Sequence, residues 1–416
     1  MAGEEKIVFN GGPFQSYWWA DEHEPIHPTV SAELTEPVDA ETLRQAWADT
    51  LRVYPLLDCV VDDKDEEVVF FAAQGTSEPV CSAVPLCLAS AATNFRAASV
   101  TYFGSTLTLS VYHSVVDEIG LMEVFKTLLS LYVARRTHTA PDPSCAMLQE
   151  GRSPQSYFVQ STMLEPSGYR PVPLLLYKDI RRVFHDETAD ENDANVRTSA
   201  LVEADAVAFD ALCKRRGVNA DELFAFVVAT AVCAMHPHDD RDLSLAFNTD
   251  FRGTFGVRGS IAPCSRRMPV VVTRQDMASD DPFAALDKIA ATRRHQKKVD
   301  YVKSHVAMEN TYAVLNLRNP CLSINYVDGT GFSGLSSQVA RVSMHDYSLR
   351  SAFVLGIEER LLISLQYGRA TAKYAAAIAR VLRELGVDAR VDVEPHTIPG
   401  ESNAPVTSPK DGDHEQ

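Results

Sequence analysis

No run of eighteen apolar residues occurs in the chain, so no helical membrane span is expected. Positive charge is in deficit: 39 Lys and Arg stand against 56 Asp and Glu, a net charge of −17. Nucleic-acid binding needs a basic footprint, and an anionic membrane surface attracts polybasic segments. Neither partner is expected. The eight cysteines, at 59, 81, 87, 145, 213, 233, 264 and 321, form no CxxC pair. Several lie in apolar runs, which predicts buried free thiols in a reducing compartment, with neither zinc nor disulfides. The opening MAGEEKIVFNGG lacks the basic start and apolar core of a signal peptide. A cytoplasmic location is the expectation. No GxSxG nucleophile elbow is present, which excludes serine hydrolysis of that type. His236-Pro-His238-Asp239-Asp240 has histidines and acids but no third ligand set beside it; no metal site is expected.

What is present begins with size. A chain of 416 residues exceeds one typical core, so two lobes are expected. Its 45% hydrophobic and 23% charged residues are ordinary for a globular protein. The stretch Ser105 to Tyr132 organises the rest. Leu107, Leu109, Val111 and His113 alternate with Thr106, Thr108, Ser110 and Tyr112, the period of a half-buried strand. Ile119, Met122, Phe125, Leu129 and Tyr132 then recur at three- and four-residue steps, the period of an amphipathic helix. Between them lies His113-Ser-Val-Val-Asp117. A histidine at a strand mouth is held by the sheet and still reaches a cleft.

The flanking chain reads as alternating elements. Asp39 is placed to cap a helix whose face is Leu43, Ala46, Trp47, Thr50 and Leu51, and Pro55 stops it. LLDCVV, EVVFFAA and RAASVTYF read as strands. Residues 135 to 198 are poor in periodic signal, and the crossover between lobes is placed there. A strand and helix follow, ended by Gly217; Asn219 and Glu222 open the next helix as a capping box. That helix is apolar on nearly all faces and is expected to be buried. LSLAFNTDFR reads as a strand leading to Arg252, residues 282 to 303 as one helix, and CLSINYV as a strand. VSMHDYSLRSAFVLGIEERLLISLQYG reads as strands with a hairpin, and KYAAAIARVLRELG as the last helix. The polar, Pro-containing end is expected to be a disordered tail. The expected division is 1–185, 186–395 and a tail, 396–416.

Tyr112-His113-Ser-Val-Val-Asp117-Glu118-Ile-Gly120 resembles the HHxxxDG signature of the CoA-dependent acyltransferase superfamily. That superfamily includes condensation domains, alcohol acetyltransferases and polyketide-associated acyltransferases. VDAETLRQAWADTLRVYPLLDCVV resembles the family's first helix and its exit. RGVNADELFAFVVATAV resembles the helix that opens its second lobe, and the strand into Arg252 its "vpvdlR" strand. Gln15 with Trp18 and Trp19 resembles its N-terminal start. The likeness runs from about residue 8 to 390 in the right order.

The resemblance implies a two-lobed, chloramphenicol-acetyltransferase-like α/β fold, mixed sheets with helices and a tunnel between the lobes. It implies an acyltransferase of the HxxxD type. His113 would be the general base, taking a proton from a hydroxyl or amine that attacks a thioester. It pairs Asp117 with Arg252 as an ion pair that holds the motif in shape. No bound cofactor is implied; acyl-CoA or acyl-phosphopantetheine is the co-substrate, from CoA or an acyl-carrier protein. The remaining partner is a small-molecule acceptor. Backbone N–H groups at the following helix start are expected to steady the oxyanion. Tyr112, Glu118, Gly120, Asn325 and Tyr326 are the channel-lining candidates.

Two letters depart from the pattern. Tyr112 replaces the first histidine and by alternation points away from His113. Glu118 replaces the glycine, and either narrows the acyl or pantetheine path or points into solvent at the helix's positive end. The DFGWG motif of plant-type acyltransferases is absent. Gly329-Thr-Gly331-Phe-Ser-Gly334 spells GxGxxG, but a strand pattern follows where a dinucleotide site needs a helix. Arg293, Arg294, Lys297, Lys298 and Lys303 form a basic cluster, read as a solvated helix face rather than a seat for CoA phosphates or a carrier protein. The rival to transfer is a non-catalytic condensation-like module that binds a carrier protein or ligand.

Overall fold

A computed structural model describes residues 6–7, 27–62, 69–75, 77–113, 115–141, 168–173, 183–184, 186, 199–257, 260–309, 321–327, 332, 335, 337–345 and 350–394. Gln15, Trp18, Trp19, Cys145, Gly329, Gly331, Gly334, most of the 135–198 crossover and the polar tail lie outside them. The first half of the chain runs β1 (Lys6–Ile7), β2 (Thr29–Leu34), α1 (Ala40–Val53), β3 (Cys59–Asp62), β4 (Val69–Ala72), β5 (Val80–Cys81), β6 (Ala98–Phe103), β7 (Thr106–Val111) and α2 (Glu118–Thr137). The second half opens with β8 (Ser199–Asp205), α3 (Ala206–Arg216), α4 (Ala220–Met235), β9 (Leu243–Asp250), α5 (Arg252–Phe255), β10 (Ser265–Val272), α6 (Arg274–Met277), α7 (Ala284–Gln296) and α8 (Val299–Glu309). It closes with β11 (Leu322–Val327), β12 (Val339–His345), β13 (Arg350–Ile357), β14 (Arg360–Tyr367), α9 (Thr371–Glu384) and β15 (Ala389–Glu394).

Local chemistry sets the helix ends. Asp39 accepts from the Thr42 N–H at 2.7 Å and caps α1, which ends before Pro55. Gly217, at φ +66°, takes the left-handed conformation that closes α3. The Asn219 N–H donates to the Glu222 carboxylate at 2.9 Å, half of a capping box, at the start of α4.

The two larger sheets mix parallel and antiparallel pairs, and the small third is antiparallel. One has the order β12-β2-β7-β6-β5, a second β10-β9-β11-β13-β14-β8-β15, and a small third β1-β4-β3. β12 belongs to the second half by sequence and to the first half's sheet by hydrogen bonding, antiparallel to β2. Alternate residues of β13 serve two cores. Phe353, Leu355 and Ile357 pack with the cluster that holds Trp47, Leu109 and Phe125. Ala352 and Val354 pack with the cluster built on α4 and α9. A sheet covered on both faces explains the near-continuous apolar runs of β13 and β14.

The elements depart from the sequence reading in several places. β7 is central, antiparallel to both β2 and β6, and is buried on both faces rather than one. Its polar face is satisfied internally: Thr108 and Ser110 hydroxyls meet those of Ser31 and Thr29 at 2.8 and 3.0 Å. α2 is buried on almost every side, Lys126, Thr127 and Ser130 included, so it is a core helix rather than an amphipathic one. Residues 282 to 303 form two helices, not one; the buried Gln296 side chain donates to the Pro269 carbonyl at 2.7 Å and pins the end of α7 to β10. Cys81 and Cys87 are exposed, because they lie on edge strand β5 and in the loop after it.

Candidate functional site

The site is built where β7 hands over to α2. The Tyr112 N–H donates to the Ala97 carbonyl at 2.7 Å, and the Val115 N–H to the Tyr112 carbonyl at 2.9 Å. These bonds fix the turn that carries His113. The ring is almost fully buried. Its Nδ1 lies 2.8 Å from the Val116 carbonyl oxygen. A carbonyl only accepts, so Nδ1 carries a hydrogen, and the tautomer this selects has its lone pair at Nε2.

Asp117 holds the next corner. Its Oδ1 accepts from the Gly120 N–H at 2.9 Å, capping α2, and its Oδ2 accepts from the Cys264 N–H at 2.8 Å. Arg252 Nη2 donates to Oδ1 at 2.7 Å. Arg252 is otherwise spent on Asp250 at 2.9 Å, the Ser260 carbonyl at 2.7 Å and the Ala262 carbonyl at 2.8 Å. Burial pushes the Asp117 carboxyl up, but the Arg252 charge and three hydrogen bonds outweigh it and hold the carboxyl below the usual aspartate value. Burial opposes the charge of Arg252 too, and Asp117 and Asp250 outweigh it, raising the guanidinium. Both ions are fully paired, the condition under which a buried pair is tolerated.

Glu118 does not point into solvent. It is buried, with Oε1 3.8 Å from His113 Nε2. Its Oε2 accepts from Asn248 Nδ2 on β9. Gly120 sits where a Cβ would fall 2.0 Å from the Ile261 carbonyl oxygen, so only glycine lets α2 approach that backbone. The Gly120 N–H and the Leu121 N–H are both bonded to Asp117, which removes them as oxyanion donors. Tyr112 points away from His113 into an aromatic group with His27 and Phe70 at centroid distances of 5.3 and 6.5 Å.

Asn325 and Tyr326 are adjacent on β11 and face opposite sides. Asn325 is buried, and Tyr326 is exposed. β9 and β11 pair in parallel with Ser323 beside Ala246. Asn325 therefore shares the face of Asn248, while Tyr326 does not. Asn248 went unread in the sequence, although it stands four residues before Arg252 on the strand already read as leading there. The second role of Asp117, as a helix cap, was also legible from its place before α2.

The other charged features fall elsewhere. Arg293 leaves the basic cluster: it is buried over the Phe247 ring at 4.2 Å and pairs with Asp221 at 3.3 Å. Burial pushes its guanidinium down, with Asp221 working against that. Arg294, Lys297 and Lys298 are exposed. His236 contacts the Tyr374 hydroxyl at 3.1 Å and Asp186 at 3.6 Å. Among the described residues no group of three His, Cys, Asp or Glu is arranged to hold a metal. His23-Glu24-Pro25-Ile26-His27 matches HExxH in letters, but His27 leads into β2 without helix, and that motif needs both histidines on one helix face. Among the described residues no single helix is long and apolar enough to cross a membrane.

No family model matches the sequence, and no curated protein matches it. The fold does match solved structures. The epimerization domain from the third module of tyrocidine synthetase B aligns over 92% of this chain and 96% of its own, with a TM-score of 0.58 and 15% identity. F. sporotrichioides TRI101, complexed with Coenzyme A and T-2, aligns over 88% of this chain and 96% of its own, with a TM-score of 0.57 and 14% identity. The first condensation domain of the CDA synthetase aligns over 90% and 96%, with a TM-score of 0.55 and 12% identity. At these identities the likeness is one of fold, the mixed α/β fold of condensation-domain and acyltransferase structures.

Proposed function

We propose that the protein is an acyltransferase that moves an acyl group from a CoA or carrier-protein thioester to a hydroxyl or amine, with His113 as general base. The observation that carries this reading is the His113 ring. Its Nδ1 is committed to the Val116 carbonyl at 2.8 Å, which leaves Nε2 as the base. The loop bearing it is braced by the Asp117–Arg252 pair at 2.7 Å. In this reading Nε2 takes the proton of the acceptor, the acceptor attacks the thioester carbonyl, and the imidazolium returns the proton to the leaving thiolate. Acyl-CoA or acyl-phosphopantetheine is the co-substrate, supported by the Coenzyme A complex of the similar TRI101.

The proposal includes two lobes, residues 1–185 and 186–395, with a tunnel between them and β12 returned to the first. Asn325 on the face of Asn248 is a tunnel-lining residue in this scheme, together with Glu118 and Gly120. Tyr326, on the opposite face, is not.

The test is thiol release. Purified protein is mixed with acyl-CoAs of graded length and pooled alcohols and amines, beside His113→Ala. Acceptor-dependent release that falls by about 10²- to 10⁴-fold in the variant is the expected result. Acyl-loaded carrier proteins are the second donor set. One observation favours a second reading, a non-catalytic binding module: the Glu118 carboxylate stands against Nε2. No release from either donor set, together with unchanged biological output of His113→Ala, establishes that reading instead.

A further inference from the structure

We infer that Arg267 binds a carboxylate carried by the substrate, with Asn248 and Asn325 completing the site beside it. The inference rests on the acyl-transfer reading and narrows its substrates to those with an anionic end.

The site follows from strand register. Arg267 on β10 lies directly opposite Asn248 on β9, so the two side chains share a face. β11 pairs in parallel with β9, Ile324 beside Phe247, which puts Asn325 on the other side of Asn248 and on that same face. Arg267, Asn248 and Asn325 therefore form one row across β10, β9 and β11. The row begins at the edge of the sheet, because β10 is its outermost strand. Arg267 and Asn248 are half-buried, and Asn325 is buried at 4% exposure. The next row of these strands on that face is Pro269, Ala246 and Ser323. None of those has a long side chain to reach over the first row.

Each member of the row is short of a partner. Among the described residues no carboxylate pairs with the Arg267 guanidinium. The diagonal acid on its face, Asp250, is held by Arg252, through Nη1 at 2.9 Å and the Arg252 N–H at 3.0 Å. Asn248 Nδ2 donates to Glu118 Oε2. A carboxylate only accepts, so the orientation of the Asn248 amide is fixed and Oδ1 is turned away from Glu118. That Oδ1 is buried and accepts no hydrogen bond among the described residues. The buried Asn325 amide makes none among them either. Native proteins leave few buried polar groups orphaned. Two in adjacent register, beside an unpaired guanidinium, describe a ligand surface.

The chemistry of the row selects the ligand. A guanidinium takes a carboxylate or a phosphate through its planar fork. Asn248 Oδ1 accepts from a hydroxyl or N–H next to that anion, and the Asn325 amide offers both a donor and an acceptor. Nearness to the base decides between the anions. Asn248 bonds Glu118, whose other oxygen is 3.8 Å from His113 Nε2. A phosphate of CoA or of a carrier stands at the far end of the pantetheine arm from the thioester. A carboxylate on the acyl group or on the acceptor stands close to the reacting carbonyl. Arg267 is a specificity residue in this scheme. It takes no proton and forms no bond to the reacting atoms.

The experiment reads binding and turnover separately, at low ionic strength, where a half-buried charge is least screened. Glutarate, lactate and 3-phenyllactate are titrated by calorimetry beside glutaramide, lactamide and 3-phenyllactamide. Wild type, Arg267→Gln and Arg267→Lys are compared, each with a thermal melt to show that it is folded. The expected result is that at least one carboxylate binds more tightly than its amide. Arg267→Gln weakens that carboxylate by about ten- to a hundredfold, the worth of a hydrogen bond to a charged group, and leaves the amide unchanged. Arg267→Lys, which keeps the charge and loses the fork, gives a smaller loss. Thiol release then separates the two sources. Glutaryl-CoA beside valeryl-CoA tests the acyl group, and the hydroxy acids beside their amides, with acetyl-CoA, test the acceptor. Arg267→Gln raises KM for the carboxylate member of the correct pair and leaves kcat in place. Arg267-dependent carboxylate binding with no thiol release from any donor overturns acyl transfer and leaves the site standing. Thiol release that prefers the neutral substrates and ignores Arg267→Gln overturns the site and leaves acyl transfer standing. Loss of binding of coenzyme A itself in Arg267→Gln, with carboxylates unaffected, assigns the arginine to a phosphate and overturns the inference. So does the absence of any carboxylate that binds wild type more tightly than its amide.

Discussion

Asp117 and Arg252, 135 residues apart in sequence, meet at 2.7 Å with almost no solvent contact. The pair joins the turn after β7 to the end of β9, and each partner is satisfied by further hydrogen bonds. Removing one side leaves the other charged and buried. Asp117→Ala or Arg252→Ala is expected to cost about 3–5 kcal/mol of stability. Urea denaturation of both singles and the double variant measures it. A double variant no worse than either single is the expected coupling; additive losses would show that the pair is not a unit.

The same pair sets an acid limit. The folded Asp117 carboxyl lies below its ordinary value, so its contribution is present above the unfolded pKa. It is lost as pH falls through the folded pKa. Urea midpoints taken from about pH 6 down to about pH 3 are expected to fall more steeply for wild type than for Asp117→Asn. Equal slopes would remove Asp117 from the account of acid sensitivity.

His113 is expected to matter far more to turnover than to folding. Its ring is held to the loop through the Val116 carbonyl, and a hydrogen bond of that kind is worth about 1 kcal/mol net. His113→Ala is therefore expected to melt within a few degrees of wild type while thiol release falls by about 10²- to 10⁴-fold. A large drop in melting temperature would instead make the residue structural.

Gly120 is a packing constraint rather than a flexible joint. A methyl there meets the Ile261 carbonyl oxygen at 2.0 Å, and that oxygen belongs to backbone. Gly120→Ala is expected to destabilise by about 1–3 kcal/mol through overpacking, despite the better helix propensity of alanine. A neutral or stabilising result in thermal melting would show that α2 has room to shift.

Tyr112 stands where the resemblance has its first histidine, and it is part of a core. It is fully enclosed, with His27 and Phe70 against its ring. Tyr112→Ala is expected to cost about 3–5 kcal/mol, read by denaturant titration. Tyr112→Phe, which keeps the ring volume, is expected to cost less than about 1.5 kcal/mol. If Tyr112→Phe loses as much as Tyr112→Ala, the hydroxyl rather than the ring is what the core requires.

Glu118 marks the limit of what could be read from the linear chain. As a helix-start acid it had two open placements, in the substrate path or in solvent. The choice was made by Asn248, whose amide pulls the carboxylate inward across 130 residues. Asn325 and Tyr326 carry a similar lesson. They are neighbours in sequence and opposites in space, because strand side chains alternate. Channel-lining candidates taken from the family resemblance pass over that alternation. The basic cluster divided for a related reason: Arg293 found Asp221 and the Phe247 ring, while Arg294 one residue later stayed in solvent.

The sequence by itself determined the local elements. β7, the turn at His113 and the helix after it follow from a period that changes from two to about 3.6. The ends of α1, α3 and α4 follow from Asp39, Gly217, and Asn219 with Glu222, because capping is settled within four residues of chain. Tertiary structure alone decided three things. It placed β12 beside β2, buried the polar sides of β7 and α2, and set the Glu118 carboxylate against His113. Each depends on partners far away in the chain. Threonine, serine and lysine read as surface until a distant hydroxyl, carbonyl or carboxylate satisfies them, and no local period records where that partner will be.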